Sequence, residues 1–273
     1  MVIIIIVSAL IVGVASTLLV GRLWLRHQFE QQVTALFDSS DPVGSLTYTP
    51  VRLAGLPQPV QRYFEIALKP DQPYISYVRI KHKGRFKAGF EKDWMPIRGE
   101  QYATTKSPGF IWLGTTLMFT ARDQYIAHKG RLVVSLLSLV SIVDAEGPAY
   151  DQAELIRWLA ESVLYPTNLL PSDRLRWSPI DRLTAKLIFV HHGMTLEMMV
   201  FFDENAQIIR IEADRAMEIN RIERWVISMG DYEVHQDLLV PTVFDVLWRL
   251  PAGDFSYAQF HITEIEYDKP TMF

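Results

Sequence analysis

Residues 144–171, DAEGPAYDQAELIRWLAESVLYPTNLLP, carry the one strong helical pattern in a chain that otherwise alternates like sheet. Between Asp151 and Val163, Leu155, Ile156, Trp158, Leu159, Ala160 and Val163 fall on one broad arc. Glu154, Arg157 and Glu161 fall on another, at spacings of three and four. A wide apolar arc has to be covered, and the strands on either side of this segment are the material at hand. The pattern therefore predicts a single helix over a curved antiparallel sheet, completing either a packed α+β core or the lid of an apolar cavity.

On the C-terminal side, LTAKLIFV, a turn at His191-His192-Gly193, and TLEMMVFF ending in Asp203-Glu204-Asn205 have the form of a hairpin. IIRIEADR then alternates, placing Ile209, Ile211 and Ala213 inward. ERWVISMGDYEV, LLVPTVFDVLWRL and FSYAQFHITEIEY continue as strands, with Phe244, Val246 and Trp248 on one face. On the N-terminal side, YVRIKHKGRFK (77–87) sets Val78, Ile80 and Phe86 against Arg79, Lys81, Lys83, Arg85 and Lys87. The five cations are either the solvated outside of a half-buried sheet or a stripe for anionic lipid headgroups. Breaks at Ser107-Pro108-Gly109 and at Ala121-Arg122-Asp123 predict short strands in an antiparallel meander. The run LVVSLLSLVSIV (132–143) is almost continuously apolar, and its period leaves strand and helix both open.

Ahead of the sheet, Val2 to Gly21 contains no charge, and about 20 helical residues span the roughly 30 Å hydrocarbon core of a bilayer. With only Met1 before the run and Trp24 after it as an interfacial ring, an uncleaved anchor fits better than a signal peptide, which has a basic start and a shorter apolar stretch. Arg22 and Arg26 follow the span, which favours a cytoplasmic domain, but two arginines are a small excess and the side stays open. Phe29, Val33, Leu36 and Phe37 predict a short juxtamembrane helix, DSSDPVGSLTYTP a linker, and LPQPVQRYFEIAL a second helix with proline at its start. The expected division is an anchor at 1–27, juxtamembrane helix and linker at 28–55, and a β-rich domain at 56–273.

The chemistry is sparse. There is no GxSxG, HExxH, phosphate loop or GxGxxG, and the absence of cysteine removes thiolate metal sites, disulfides and thiol nucleophiles together. A net charge of -4 argues against a general nucleic-acid binder. The seven histidines are scattered and predict no metal site, and no cofactor is indicated. Glu154 and Glu161, with Asp144 nearby, are the carboxylates an acid–base enzyme would use; a surface ion-pair ladder explains the helical row without catalysis. For an apolar ligand, the candidate contacts are Leu155, Trp158 and Leu159 on the helix with Phe110, Trp112, Met118, Met198 and Trp248 on the strands.

Leu56-Pro57-Gln58-Pro59-Val60-Gln61-Arg62-Tyr63, Pro108-Gly109-Phe110-Ile111-Trp112, and Ala160-Glu161 running into Tyr165-Pro166-Thr167-Asn168-Leu169-Leu170-Pro171, with Trp177 and Ile180-Asp181, resemble an uncharacterised bacterial family of membrane-anchored proteins over about residues 56 to 268. The strand, turn and strand around Ser107 to Trp112 are also similar to lipoprotein carriers of the LolA and LppX type. That resemblance implies an open half-barrel holding acyl chains beneath helices. The expectation is a single-pass protein of the cell membrane whose partners are the bilayer and a hydrophobic small molecule or acyl chain. A structural or partner-binding envelope protein is the alternative, and a hydrolase a third reading.

Overall fold

Period-two alternation, interrupted by turns of a few residues, folds into strands that pair with their sequence neighbours because short connections favour antiparallel hairpins. The computed structural model describes residues 1–273 and contains thirteen such strands in one sheet. Before the central helix come β1 (Tyr77–Phe86), β2 (Met95–Thr104), β3 (Gly109–Thr115), β4 (Phe119–Ile126), β5 (Lys129–Leu136) and β6 (Val140–Glu146). After it come β7 (Leu175–Asp181), β8 (Thr184–His191), β9 (Met194–Phe202), β10 (Ile208–Glu218), β11 (Arg221–His235), β12 (Leu238–Leu250) and β13 (Gly253–Tyr267). The sheet order is β6-β5-β4-β3-β2-β1-β13-β12-β11-β10-β9-β8-β7. Two meanders thus join through β1 and β13, which pair antiparallel, and leave β6 and β7 as the two free edges.

Three helices accompany the sheet: α1 (Val2–Asp38), α2 (Gln58–Ala67) and α3 (Pro148–Ala160). The helix predicted from residues 144–171 is α3, continued by 3-10 turns at Glu161–Leu164 and Pro166–Leu169. It connects the two edges by crossing the concave side, where it touches β4 and β5 of one wing and β9 and β10 of the other. Gly130 permits this approach: a Cβ there would stand 2.1 Å from the carbonyl oxygen of Tyr150. Its amide instead donates to Asp151 Oδ1 at 2.7 Å, tying the start of β5 to the first turn of α3. Together α2, α3 and the concave face enclose a core of 50 buried residues.

On the opposite, convex face lies a separate cluster in which Phe29, Val33, Leu36 and Phe37 of α1 pack against Tyr77, Tyr102, Ile111 and Leu113. The juxtamembrane helix expected from those four residues is therefore the last part of α1 itself. Its apolar stripe faces the sheet, and no break separates it from the apolar span. The first part of α1 is long and apolar enough to cross a bilayer and is covered by nothing in the chain.

Two local expectations change. Ala121-Arg122-Asp123 is the middle of β4, and the turn lies at residues 116–118. Asp123 reads as a break because a carboxylate inside a sheet needs a buried cation, and that cation, Arg157, lies 34 residues away. Ile209 is partly exposed while Ile208 is fully buried, since a bulge between Ile208 and Arg210 shifts the alternation by one residue. The 132–143 run resolves into β5, a tight turn and β6.

Candidate functional site

The curved sheet is not filled by side chains. Between α3 and the central strands lies a cavity of about 500 Å³, and 25 of its 32 lining residues are hydrophobic, so its wall is an apolar surface with a small polar sector. Alternate residues of each strand supply the apolar wall: Ile80 and Phe86 from β1, Phe119 and Ala121 from β4, Phe244, Val246 and Trp248 from β12, and Phe260 and Ile262 from β13.

The polar sector comes from α3 and its neighbours. Glu154, Arg157 and Glu161, which a surface ladder would expose, line the cavity and are largely buried. The reason is topological: a helix lying in the hollow of a half-barrel meets sheet on both sides, so both arcs face protein. Arg157 is clamped by Asp123 of β4, by Glu161 Oε1 at 2.8 Å and by Gln101 Oε1 at 3.3 Å, while Gln101 also donates to Glu161 at 2.7 Å. Its guanidinium lies 4.8 Å from the Trp112 ring and 5.0 Å from the Phe110 ring. Arg215 of β10 holds Glu154 Oε1 at 3.1 Å and the Ala153 carbonyl at 2.9 Å, over the rings of Trp225 and Trp248.

Three polar atoms in this sector have no partner: Glu154 Oε2, Asp123 Oδ1 and His82 Nδ1. Trp112 Nε1 donates to His82 Nε2 at 2.7 Å, so the His82 proton resides on Nδ1 and is left without an acceptor. Burial, reinforced by Arg157, holds the His82 pKa down to about 3 and keeps the ring neutral. Burial pushes Glu154 up to about 7 despite Arg215, and raises Asp123 despite Arg157. Two arginines facing three carboxylates balance in charge when Glu154 holds its proton. The cavity wall is thus an apolar body interrupted by one sector in which Gln101, Asp123, Glu154, Arg157, Glu161, Arg215 and His82 take part.

The structure distributes the other candidates differently. Of the eight ligand candidates, Trp112 and Trp248 line the cavity. Phe110, Leu155, Trp158, Leu159 and Met198 are buried in the packing, with Trp158 Nε1 donating to the Thr104 carbonyl at 2.8 Å and its ring against Phe189. Met118 stands exposed in the turn after β3. It is the polar arc of α3, and not the arc around Trp158, that faces the hollow. Asp144 lies apart from Glu154 and Glu161: it is paired with Arg131 at 2.7 Å, which lowers its pKa, and borders a smaller hollow of about 350 Å³ between α1 and the outer side of the sheet. The four cations of β1, Arg79, Lys81, Lys83 and Arg85, lie on the strand face opposite the cavity, and Lys87 follows just beyond the strand. Arg79 is paired with Glu266, Lys81 with Glu264 at 2.9 Å, and Arg85 with Gln259 at 2.7 Å, while Lys83 is exposed and Lys87 half-buried.

His82, Asp123 and Arg215 were not among the candidates, although parity marks each one. His82 alternates with Ile80, Asp123 with Phe119 and Ala121, and Arg215 with Ile211 and Ala213.

The chain belongs to a family of unknown function (DUF6544), whose model matches residues 47–260. A comparison with curated proteins returns no match. Among solved structures, the chain is similar to a LolA superfamily protein from Nitrosomonas europaea, with 10% identity, a TM-score of 0.44, and coverage of 79% of this chain and 95% of that one. It is also similar to a domain described as an outer membrane lipoprotein-sorting protein from Vibrio parahaemolyticus, with 9% identity, a TM-score of 0.39, and coverage of 77% and 91%. At these scores neither likeness carries an argument about what the chain binds.

Proposed function

We propose that this is a membrane-anchored binding module whose cavity holds one amphipathic molecule, with a hydrophobic body against the strands and a hydroxyl or amine group against Glu154, Asp123 and His82. The observation behind this is the cavity itself: about 500 Å³ lies within the roughly 300–1,000 Å³ typical of small-molecule sites, and its lining is predominantly apolar. The unpartnered atoms sharpen the reading. A buried polar atom left without a partner costs about 1–3 kcal/mol, and a ligand hydroxyl that reaches any one of Glu154, Asp123 or His82 by a small side-chain shift recovers that cost. α1 supplies the single-pass anchor, and Lys83 on β1 and Lys87 just beyond it are the cations available to anionic headgroups.

The test uses the full chain in detergent with a fluorescent fatty alcohol. Saturable binding at one molecule per chain is expected, and Ala121→Trp, which fills the cavity, abolishes it. Binding that is unchanged in Ala121→Trp places the ligand elsewhere and ends the proposal.

A hydrolytic reading draws support from one observation: Glu154 and Glu161 converge on a concave, largely dry site, with the pKa of Glu154 near neutrality. Under that reading, acyl esters of the same alcohol are turned over and Glu154→Gln stops turnover while binding persists. Binding without turnover in the parent chain ends it.

A further inference from the structure

The anchor and the cavity are arranged about a common end of the molecule. α1 runs along the convex face from Gly21, whose missing Cβ makes room for Leu139 in the β5–β6 turn, to Leu36, which abuts Gly109 at the start of β3. Ser40, just beyond α1, accepts from the Ser107 amide and from Tyr77 Oη. From residue 21 to residue 38 is about 26 Å of helix at 1.5 Å per residue. The uncovered apolar residues 2–20 therefore leave the domain at the end marked by the β5–β6 turn, and the β2–β3 turn marks the opposite end.

That membrane-proximal end also exposes a contiguous group of large apolar side chains. Leu117 is 87% exposed in the β3–β4 turn, Leu137 42% and Leu139 43% in the β5–β6 turn, and Val140 60% and Ile142 58% on β6. The Leu137 amide donates to the Met118 carbonyl at 2.7 Å, so the two turns form one surface. Ile142 and Val143 belong at once to this surface and to the cavity lining, as do Phe119 and Val134 just inside. An exposed apolar rim costs free energy in water, about 25 cal/mol per Å². Beside a transmembrane helix it has a partner of matching chemistry within reach.

We propose that the β3–β4 and β5–β6 turns sit in the interfacial layer of the bilayer in which α1 is anchored, and that the cavity exchanges its ligand directly with that leaflet. The inference rests on the anchored-binding reading and adds the route of loading to it.

The cysteine-free sequence makes the test clean. The full chain is reconstituted in liposomes with one environment-sensitive fluorophore at Leu117→Cys, Leu137→Cys or, as the distal control, Lys106→Cys. Nitroxide lipids quench the first two and leave Lys106→Cys unquenched; equal exposure of all three to aqueous iodide, without lipid quenching, overturns the proposal. A second arm follows loading of the fluorescent fatty alcohol. Leu117→Asp with Leu137→Asp slows uptake from vesicles at least tenfold and leaves binding from detergent micelles unchanged. Unchanged vesicle uptake refutes direct exchange, whereas loss of binding from micelles in the parent chain refutes the ligand reading itself.

A different observation carries a second inference. His128, in the β4–β5 turn, belongs to one wing of the sheet; His191 at the end of β8 and His192 in the following turn belong to the other. One ring nitrogen from each lies within 4.8 Å of the others, and His128 Nδ1 to His191 Nε2 is 3.1 Å. Ligands about 2.0–2.1 Å from a tetrahedral zinc ion are themselves about 3.3 Å apart, so the cluster is near ligating geometry. His128 Nδ1 and His191 Nε2 are hydrogen-bonded to each other, so one of them carries a proton that an incoming ion displaces. His128 and His192 are exposed, which gives an ion a way in.

We infer that these three histidines bind one divalent transition ion of borderline softness, zinc or nickel, and staple the two wings together. Untagged full chain, stripped with chelator, is titrated with Zn²⁺ by calorimetry with metal content measured in parallel. One ion per chain and a raised melting temperature are expected. His128→Gln and His192→Gln, both at exposed positions, each weaken binding at least tenfold with melting of the metal-free chain unchanged. A stoichiometry near zero, or one unchanged in the double variant, overturns the site.

Discussion

Two rows of charge stand out along this chain, and the fold treats them in opposite ways. Along α3 and its first following residue, Glu154, Arg157 and Glu161 recur at helical spacing; along β1 and its first following residue, Arg79, Lys81, Lys83, Arg85 and Lys87 recur at strand spacing. The first row is buried and knitted to three strands by Asp123, Gln101 and Arg215. The second meets two carboxylates of β13 at the surface. Periodicity says that residues share a face; it does not say what the face looks upon. For a strand, the alternating apolar residues reveal which side is inside. For a helix set into a concave sheet both sides are inside, and the polar arc becomes part of the site.

The sharpest way to break the comparison is Arg157→Ala. It leaves Asp123 and Glu161 buried without their cation, and removing one partner of a buried pair costs about 3–5 kcal/mol. Urea denaturation of the full chain in detergent measures it. A loss below 1 kcal/mol shows that the row is solvated after all. Gly130→Ala is expected to cost a comparable amount by another route, since the new Cβ meets the backbone of Tyr150 and forces α3 away from β5.

Proton linkage comes next. The folded pKa of Glu154, about 7, stands above the usual carboxylate value of 4.5, so the folded state holds a proton that the unfolded state has released between those values. Stability from this group is full below pH 4.5 and is lost as pH rises to about 7, a swing of up to about 3 kcal/mol. His82 and His191, whose folded values fall to about 3 and about 4, act in the opposite sense, losing stability as pH falls below 6.5. The two effects overlap, so the measurement is the difference between the parent chain and Glu154→Gln. That difference should move against the parent from pH 4.5 to 7 and level off above. A flat difference means that Glu154 is an ordinary carboxylate.

The sheet and α3 were readable from sequence because local alternation and helical spacing are properties of neighbouring residues. One helix for many strands implied a curved sheet with a helix across it, and the open half-barrel came from the resemblance around Ser107 to Trp112. The site was less readable because its parts come from β1, β4, β10 and α3 and meet only through pairing. Asp123 resembled a turn residue, and His82 and Arg215 looked like polar lapses in good strands. Each in fact keeps the parity of its strand, which was the available signal. The histidine cluster had no such signal, since nothing local in residue 128 points to residues 191 and 192. At the junction of anchor and domain the helix runs on across residue 28 while the composition changes.

The smallest effect belongs to the row on β1. Lys81 is about two-fifths exposed and so is its partner Glu264, and a pair of this kind is worth about 0–1 kcal/mol. Lys81→Ala returns Glu264 to water, which solvates it at no cost, so the expected change in the urea midpoint is close to zero and shrinks further in high salt. The same substitution made on α3 is absorbed far less, because the abandoned carboxylates are only 16% exposed. If Lys81→Ala costs as much as Arg157→Ala, then the outer face of β1 is covered in the native protein. Phe273, whose ring lies 3.8 Å from the Lys81 ammonium, together with the C-terminal segment that reaches Arg79, is then the first place to look for what covers it.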